Sequence, residues 1–321
     1  MGRKFTFGIY PGGIVGTDSS DLLTISKPDD FEQIVRALGL LQGTSRDLWV
    51  RCYMSYSGDR QSINHAPVNP ERFVNDSRKL DLVVGYHSQL RDFEEYELFV
   101  KKQVRNFGST LGKIQITEEP NLHGIPVVDG DIPGVREALI RGVIAAKEEV
   151  RQLDLSTLVG FNAVCNFEPE ADFWRHLAAQ ANPLFYESLD YVGLDFFPDV
   201  FHPIPAHLLV EQVKAGLQCF RNNNLKEAGI SSDVPIHITE NGWPTSPERT
   251  PERQSAILET IIRTVHCEKD NLNIQGYELF SLRDSNSNDP NIFNQFGVMT
   301  DNYSPKPAFY TFSTLVHELS V

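Results

Sequence analysis

The run Ile236-His237-Ile238-Thr239-Glu240-Asn241-Gly242-Trp243-Pro244 joins a short β-branched stretch to a carboxylate and then to a glycine and a proline. A second run has the same build: Lys113-Ile114-Gln115-Ile116-Thr117 leads into Glu118-Glu119-Pro120-Asn121. Short, nearly continuous apolar runs of this kind predict strands buried on both faces. The two give strands over Pro235–Thr239 and Lys113–Thr117. Six more follow the pattern, at Phe5–Tyr10, Leu48–Tyr53, Leu80–Tyr86, Thr157–Asn162, Tyr191–Phe196 and Gln275–Ser281. Between them, Phe31–Leu41, Arg136–Leu153, His207–Glu227 and Glu252–Cys267 carry apolar residues three and four apart, the helical period. Eight strand-then-helix units predict a single (β/α)8 TIM barrel over residues 1–321, since that fold takes about 250 residues plus insertions.

The remaining features narrow the function. Lys and Arg number 29 against 43 Asp and Glu, and the net charge of -14 repels phosphate backbones and anionic lipid, so neither nucleic acid nor a membrane surface is expected as a partner. No stretch approaches eighteen consecutive apolar residues, the least that a spanning helix takes. Met1-Gly2-Arg3-Lys4 runs straight into the first strand without an apolar leader pattern. Cys52, Cys165, Cys219 and Cys267 are scattered and read as reduced, buried small hydrophobes. Together these point to the cytoplasm, although a secreted chain trimmed of its leader would look the same.

The glycine cluster Gly12-Gly13-Ile14-Val15-Gly16 lacks the G-x-G-x-x-G spacing, and the polar residues Thr17 to Asp21 follow where a helix would open, so no dinucleotide cofactor is expected. The nine histidines form no paired metal spacing, and no metal is expected. Asp92-Phe93-Glu94-Glu95-Tyr96-Glu97 reads as an acidic helix N-terminus.

In a (β/α)8 barrel the reactive face is at the C-terminal ends of the strands. Glu119 and Glu240 both fall there, after the fourth and seventh strands. Arg51, Asn162, Asp195 and Phe280 lie on or just after other strands, as do Tyr10, Tyr53, His87 and Glu278. No lysine ends a strand, which argues against Schiff-base chemistry.

Ile238-Thr239-Glu240-Asn241-Gly242 and Glu119-Pro120-Asn121 resemble the nucleophile and acid/base segments of the large clan of retaining glycoside hydrolases built on this barrel. Arg51 in Trp49-Val50-Arg51-Cys52-Tyr53 matches an arginine that supports the nucleophile there. The strand Glu278-Leu279-Phe280-Ser281 and the segments Phe296-Gly297-Val298 and Ser304-Pro305-Lys306-Pro307 are similar to the clan's closing strand and final helix lead.

The resemblance implies cleavage of a β-linked glycoside or oligosaccharide by double displacement, with Glu240 as nucleophile, Glu119 as general acid/base and no cofactor. Two carboxyls in opposite protonation states supply what an oxocarbenium-like transition state needs. Arg51, Glu118, Asn162, Asp195, Trp243 and Phe280 are the candidates for the substrate side. Trp243 either stacks on a sugar or caps the core, and Arg51 either serves Glu240 or forms a structural ion pair.

Three positions depart from the clan. Glu118 stands where an asparagine donates to the sugar 2-hydroxyl, Phe197 replaces a tyrosine that hydrogen-bonds the nucleophile, and Phe280 replaces a tryptophan platform. A carbohydrate-binding barrel with impaired catalysis is therefore the alternative, followed by another type of barrel hydrolase.

Overall fold

The computed structural model describes residues 5–16, 27–43, 47–58, 66–166 and 172–320. Residues 1–4, the polar stretch Thr17 to Asp21 and part of the loop after the second strand lie outside them. The strands are β1 (Thr6–Ile9), β2 (Leu48–Tyr56), β3 (Arg78–Tyr86), β4 (Leu111–Ile116), β5 (Leu158–Val164), β6 (Tyr191–Asp195), β7 (Ile236–Asn241) and β8 (Ile274–Leu279). They close in sequence order into a barrel, and every neighbouring pair is parallel, β8 to β1 included. The (β/α)8 expectation holds.

Among the described residues the α-helices are α1 (Phe31–Gln42), α2 (Phe93–Phe107), α3 (Val135–Gln152), α4 (Asp172–Gln180), α5 (Pro183–Ser188), α6 (Leu209–Cys219), α7 (Pro251–Cys267), α8 (Lys269–Leu272) and α9 (Pro307–Leu319). The acidic run opens α2 as expected, with Glu94 and Glu95 in its first turn. The helix expected over His207–Glu227 begins at Leu209 and widens into a π-helical turn over Phe220–Leu225. Between β2 and β3 the described residues hold only a 3-10 turn, Pro70–Phe73. No helix among them is long and apolar enough to cross a membrane.

Each strand presents alternate residues to opposite faces. The outward set, such as Val50, Cys52 and Met54 of β2 or Val192 and Leu194 of β6, packs with Leu38, Val143, Leu217, Ile261 and Phe312 of the helices into the main apolar core. The inward set is polar, which the near-continuous apolar reading of the strands did not anticipate. The indole of Trp49 and the phenol of Tyr191 stack on the two sides of His237, with centroids 5.2 and 4.7 Å away. Above them Lys113 pairs with Glu278 and lies 3.5 Å from Asp81, and Asp81 bonds Arg51 at 2.7 Å. Glycine makes room for this: a Cβ on Gly8 would lie 2.6 Å from the Glu278 side chain. Charges this deep persist only when paired, because the desolvation of each costs several kcal/mol.

All four cysteines are free thiols. Cys52 is buried as expected, but Cys165 and Cys219 are half-buried and Cys267 is exposed, because it ends α7 on the solvent side.

Candidate active site

The approach to Glu119 is an unusual piece of backbone. Thr117 (φ 65°) and Glu119 (φ 43°) both occupy the left-handed region, which costs non-glycine residues about 1–3 kcal/mol each. Hydrogen bonds hold the segment in place. The Glu118 N–H donates to Asp129 Oδ2 (2.7 Å), the Asp129 N–H donates back to the Glu118 carbonyl (2.8 Å), and the Glu119 N–H donates to Asn162 Oδ1 (2.9 Å). Asn121 ties the exit to β5 through its side chain and both backbone groups of Val164. Asp129 also accepts from the Tyr86 N–H and lies 3.0 Å from His87 Nε2, so His87 braces this loop.

Glu240 reaches the site by a different device. Leu194 pairs with Ile238 but Asp195 pairs with Glu240, and on the other side Tyr277 pairs with Ile238 while Leu279 pairs with Asn241. One extra residue therefore sits in β7, a bulge that re-aims the side chains beyond it. As a result Thr239 and Glu240, adjacent in sequence, both serve the inside of the barrel: Thr239 Oγ1 donates to Asp195 Oδ1 at 2.6 Å and Glu240 faces β2. Asn241 and Gly242 form no turn. Asn241 ends the strand and bonds the Phe196 carbonyl and the Tyr277 hydroxyl. A Cβ on Gly242 would sit 1.8 Å from the Phe280 carbonyl oxygen, so only glycine fits there.

The carboxylates converge. One oxygen each from Glu118, Asp195 and Glu240 lie within 4.8 Å of one another. Arg51, 1% exposed, lies beneath them, with Nε 3.3 Å from Glu240 Oε1, Nη2 3.5 Å from Glu118 Oε2 and 3.0 Å from Gln115 Oε1, and Nη1 on Asp81. Tyr53 donates its hydroxyl to Glu240 Oε1. Burial leaves the Glu240 carboxyl above its ordinary value, although the Arg51 charge and the Tyr53 hydrogen bond each lower it. Burial pushes Glu119 well above the usual carboxylate range, and the charges of Asp195 and Glu240 push it further. Asp195 is pushed up to about 8 by burial and then by Glu240, against the hydrogen bonds from Thr239 and Asn162. Glu240 thus has cationic and hydroxyl support for its charged form, and Glu119 has neighbours that favour a retained proton.

The three converging carboxylates form the one group of His, Cys, Asp and Glu side chains among the described residues that could bring three ligand atoms to a metal ion. Arg51 already places a positive charge against two of them.

The candidate residues separate into two sets. Glu118, Glu119, Asp195 and Glu240 come together as the inner wall of the barrel mouth. Arg51 and Asn162 lie buried behind them: Asn162 is fully buried, with its amide bound to Asp195 Oδ2 at 2.5 Å and to the Glu119 N–H, so both orient carboxylates rather than face a ligand. Phe280 is half-buried at the mouth, stacked on Tyr10 at 5.4 Å and edge-on to Phe197 and Phe296. Trp243 is a correction. It is fully buried, its Nε1 donates to Asp199 (3.1 Å to Oδ2), and Arg249 and Arg253 lie against the ring at 5.0 and 5.1 Å, so it caps the core and offers no sugar-stacking face.

Glu278 and Tyr10, also noted at strand ends, are engaged within the protein: Glu278 is sealed in the barrel with Lys113, and Tyr10 donates to the Ile14 carbonyl at 2.5 Å. The residue whose role the sequence reading missed is Tyr53. Its place two residues after Arg51 on one strand was the available signal, since such residues share a face.

No protein-family model matches the chain, and no curated protein sequence does. Solved structures do match. A family 39 glycoside hydrolase from the gut symbiont Bacteroides cellulosilyticus WH2 superposes with a TM-score of 0.62 at 16% identity, covering 99% of this chain and 64% of that one. A β-glucuronidase from Ruminococcus gnavus in complex with D-glucuronic acid gives 0.61 at 13% identity, covering 98% of this chain and 49% of that one. An active-site mutant of a β-1,3-glucanosyltransferase from Rhizomucor miehei in complex with laminaritriose gives 0.56 at 13% identity, covering 94% and 96%. The chain shares the barrel fold of these glycoside-active enzymes. It spans 64% of the length of the first and about half (49%) of the second.

Proposed function

We propose that this protein is a retaining glycoside hydrolase acting on a β-linked glycoside, with Glu240 as nucleophile and Glu119 as general acid/base. The observation that carries the reading is the opposite support given to two carboxyls at one barrel mouth. Arg51 and Tyr53 favour the ionised form of Glu240, whereas burial, Asp195 and Glu240 itself favour the protonated form of Glu119.

The reaction then runs in two steps. The Glu240 carboxylate attacks the anomeric carbon as the Glu119 proton passes to the leaving oxygen, giving a glycosyl ester on Glu240. Forming that ester removes the Glu240 charge, so Glu119, now ionised, loses one repelling neighbour and can take a proton from water as it attacks the same carbon. The second attack regenerates both groups and leaves the anomeric configuration as it began. Arg51 and Tyr53 receive the carboxylate as it is expelled, and Asn162 holds the Glu119 backbone throughout.

The alternative of an inactive sugar-binding barrel drew on Glu118, on Phe280 and on the loss of a tyrosine at Phe197, and the last of these is the ground that Tyr53 touches. Tyr53 supplies a phenol to Glu240 from β2 instead, which weakens that ground. The test is a panel of aryl β-glycosides together with a fluorinated glycoside that traps the covalent intermediate. Turnover and a mass increase located on the peptide bearing Glu240 are expected, with turnover lost in Glu240→Ala. Full activity in that variant removes the assignment.

A further inference from the structure

The residue beside the acid/base is itself an acid, and its setting singles out one part of the substrate. Glu118 is fixed by its backbone bond to Asp129 and by Gln115 Nε2, which donates to its Oε2 at 2.6 Å; Arg51 approaches the same oxygen at 3.5 Å. Among the described residues, the donors to Glu118 therefore gather on Oε2 rather than Oε1. Asp195, the other carboxylate near Glu240, has Thr239 on one oxygen and Asn162 on the other.

A nucleophile lies about 3–3.5 Å from the carbon that it attacks. A second carboxylate oxygen within 4.8 Å of the Glu240 oxygen then faces whatever is attached beside that carbon. Of the two ring neighbours of an anomeric carbon, the ring oxygen has no hydrogen to give, and C2 bears the only possible donor. A carboxylate accepts and, once ionised, cannot donate. Glu118, Glu119, Asp195 and Glu240 crowd one mouth, and among the described residues Arg51 is the one cation in ion-pair contact with any of them. A ligand that brings a positive charge favours the ionised form of these carboxyls, and one that brings a further carboxylate opposes it.

We infer that the ring bound at the reaction centre carries a basic amino group on C2, held by Glu118, so that 2-amino β-glycosides are the substrate class. The inference rests on the retaining hydrolase reading above. Burial and the Glu240 charge hold the empty Glu118 well above the usual carboxylate range, and an ammonium group against it would restore the ionised form. The bond so formed is charge-assisted on both sides, roughly twice the strength of the neutral bond that a 2-hydroxyl offers.

The test compares kcat/KM of the full chain, in EDTA, for 4-nitrophenyl β-glycosides with 2-amino, 2-hydroxy and 2-acetamido groups and for the uronides, in the gluco and galacto series. We expect the 2-amino compound to exceed the 2-hydroxy one by about tenfold or more, with the acetamido and uronic forms lower still. Glu118→Gln, which keeps shape and drops charge, should bring the 2-amino to 2-hydroxy ratio close to one. A wild-type protein that prefers the 2-hydroxy compound or the uronide overturns the inference, as does an unchanged ratio in the folded variant, or an amine preference that appears only when a divalent cation is added. The wild-type ratios decide the matter even if the variant does not fold. Turnover of 2-hydroxy substrates without amine preference sinks this inference alone, whereas no turnover of any compound and no trapping on Glu240 sinks the hydrolase reading beneath it.

Discussion

Tyr53 and Glu240, 187 residues apart, meet across the barrel mouth, where the phenol donates to the same carboxylate oxygen that Arg51 approaches from below at 3.3 Å. That oxygen therefore has a neutral donor on one side and a cation on the other, and the two can be removed separately.

Tyr53→Phe deletes the neutral donor. A hydrogen bond to a charged group is worth about 1.5–3 kcal/mol, so kcat/KM should fall on the order of ten- to a hundredfold. The hydrogen bond lowers the Glu240 pKa, so its loss raises it. The nucleophile must be ionised, and the acidic limb of the pH–rate profile should shift to higher pH. An unmoved limb would mean that the phenol does not tune this carboxylate.

Asp195→Asn acts on the other limb. Asp195 is the first charge that adds to burial in raising Glu119, and Asp195 itself ionises at about 8. Removing the charge lowers the Glu119 pKa, so the acid loses its proton earlier and the alkaline limb of kcat/KM should move to lower pH. The measurement is a profile from pH 5 to 10 with a substrate whose leaving group needs protonation.

Arg51→Met should be costly to the fold as well as to the chemistry. The guanidinium is 1% exposed and bonds Asp81, Gln115 and Glu240, so the variant leaves buried carboxylates without their counter-charge. Removing one partner of a buried ion pair costs about 3–5 kcal/mol, to be read as a fall in the urea midpoint. A midpoint equal to wild type would show that the cluster relaxes by taking up protons.

Trp243→Ala separates packing from binding. The indole is fully buried, and truncating such a side chain costs about 3–5 kcal/mol. KM on small aryl glycosides should change little below the new melting temperature. A large rise in KM with unaltered stability would restore the sugar-stacking role.

The barrel was legible in the sequence because period and order are local properties. All eight strands lie where apolar runs predicted them, with ends shifted by at most three residues, as at β2, which continues to Tyr56 rather than stopping at Tyr53. Glu119 and Glu240 were singled out by their places after the fourth and seventh strands, which the structure closes into one parallel barrel. What escaped depends on partners distant in the chain. The phenol on Glu240 comes from β2 rather than β6, and the Lys113, Asp81 and Glu278 cluster that fills the barrel joins three strands. Trp243 was ambiguous because its neighbour Asp199 belongs to another loop, and nothing within its own segment tells which face is covered.

The extra residue in β7 ties reactivity to the length of one strand. Excising Thr239 would restore an even alternation and leave the next carboxylate facing inward, but one position lower in the barrel, in the place where Thr239 meets Asp195. Loops around the rim can be exchanged or relined without that penalty. A survey of tolerated changes in this protein should accordingly find substitutions spread widely and single-residue deletions excluded from Ile236–Asn241.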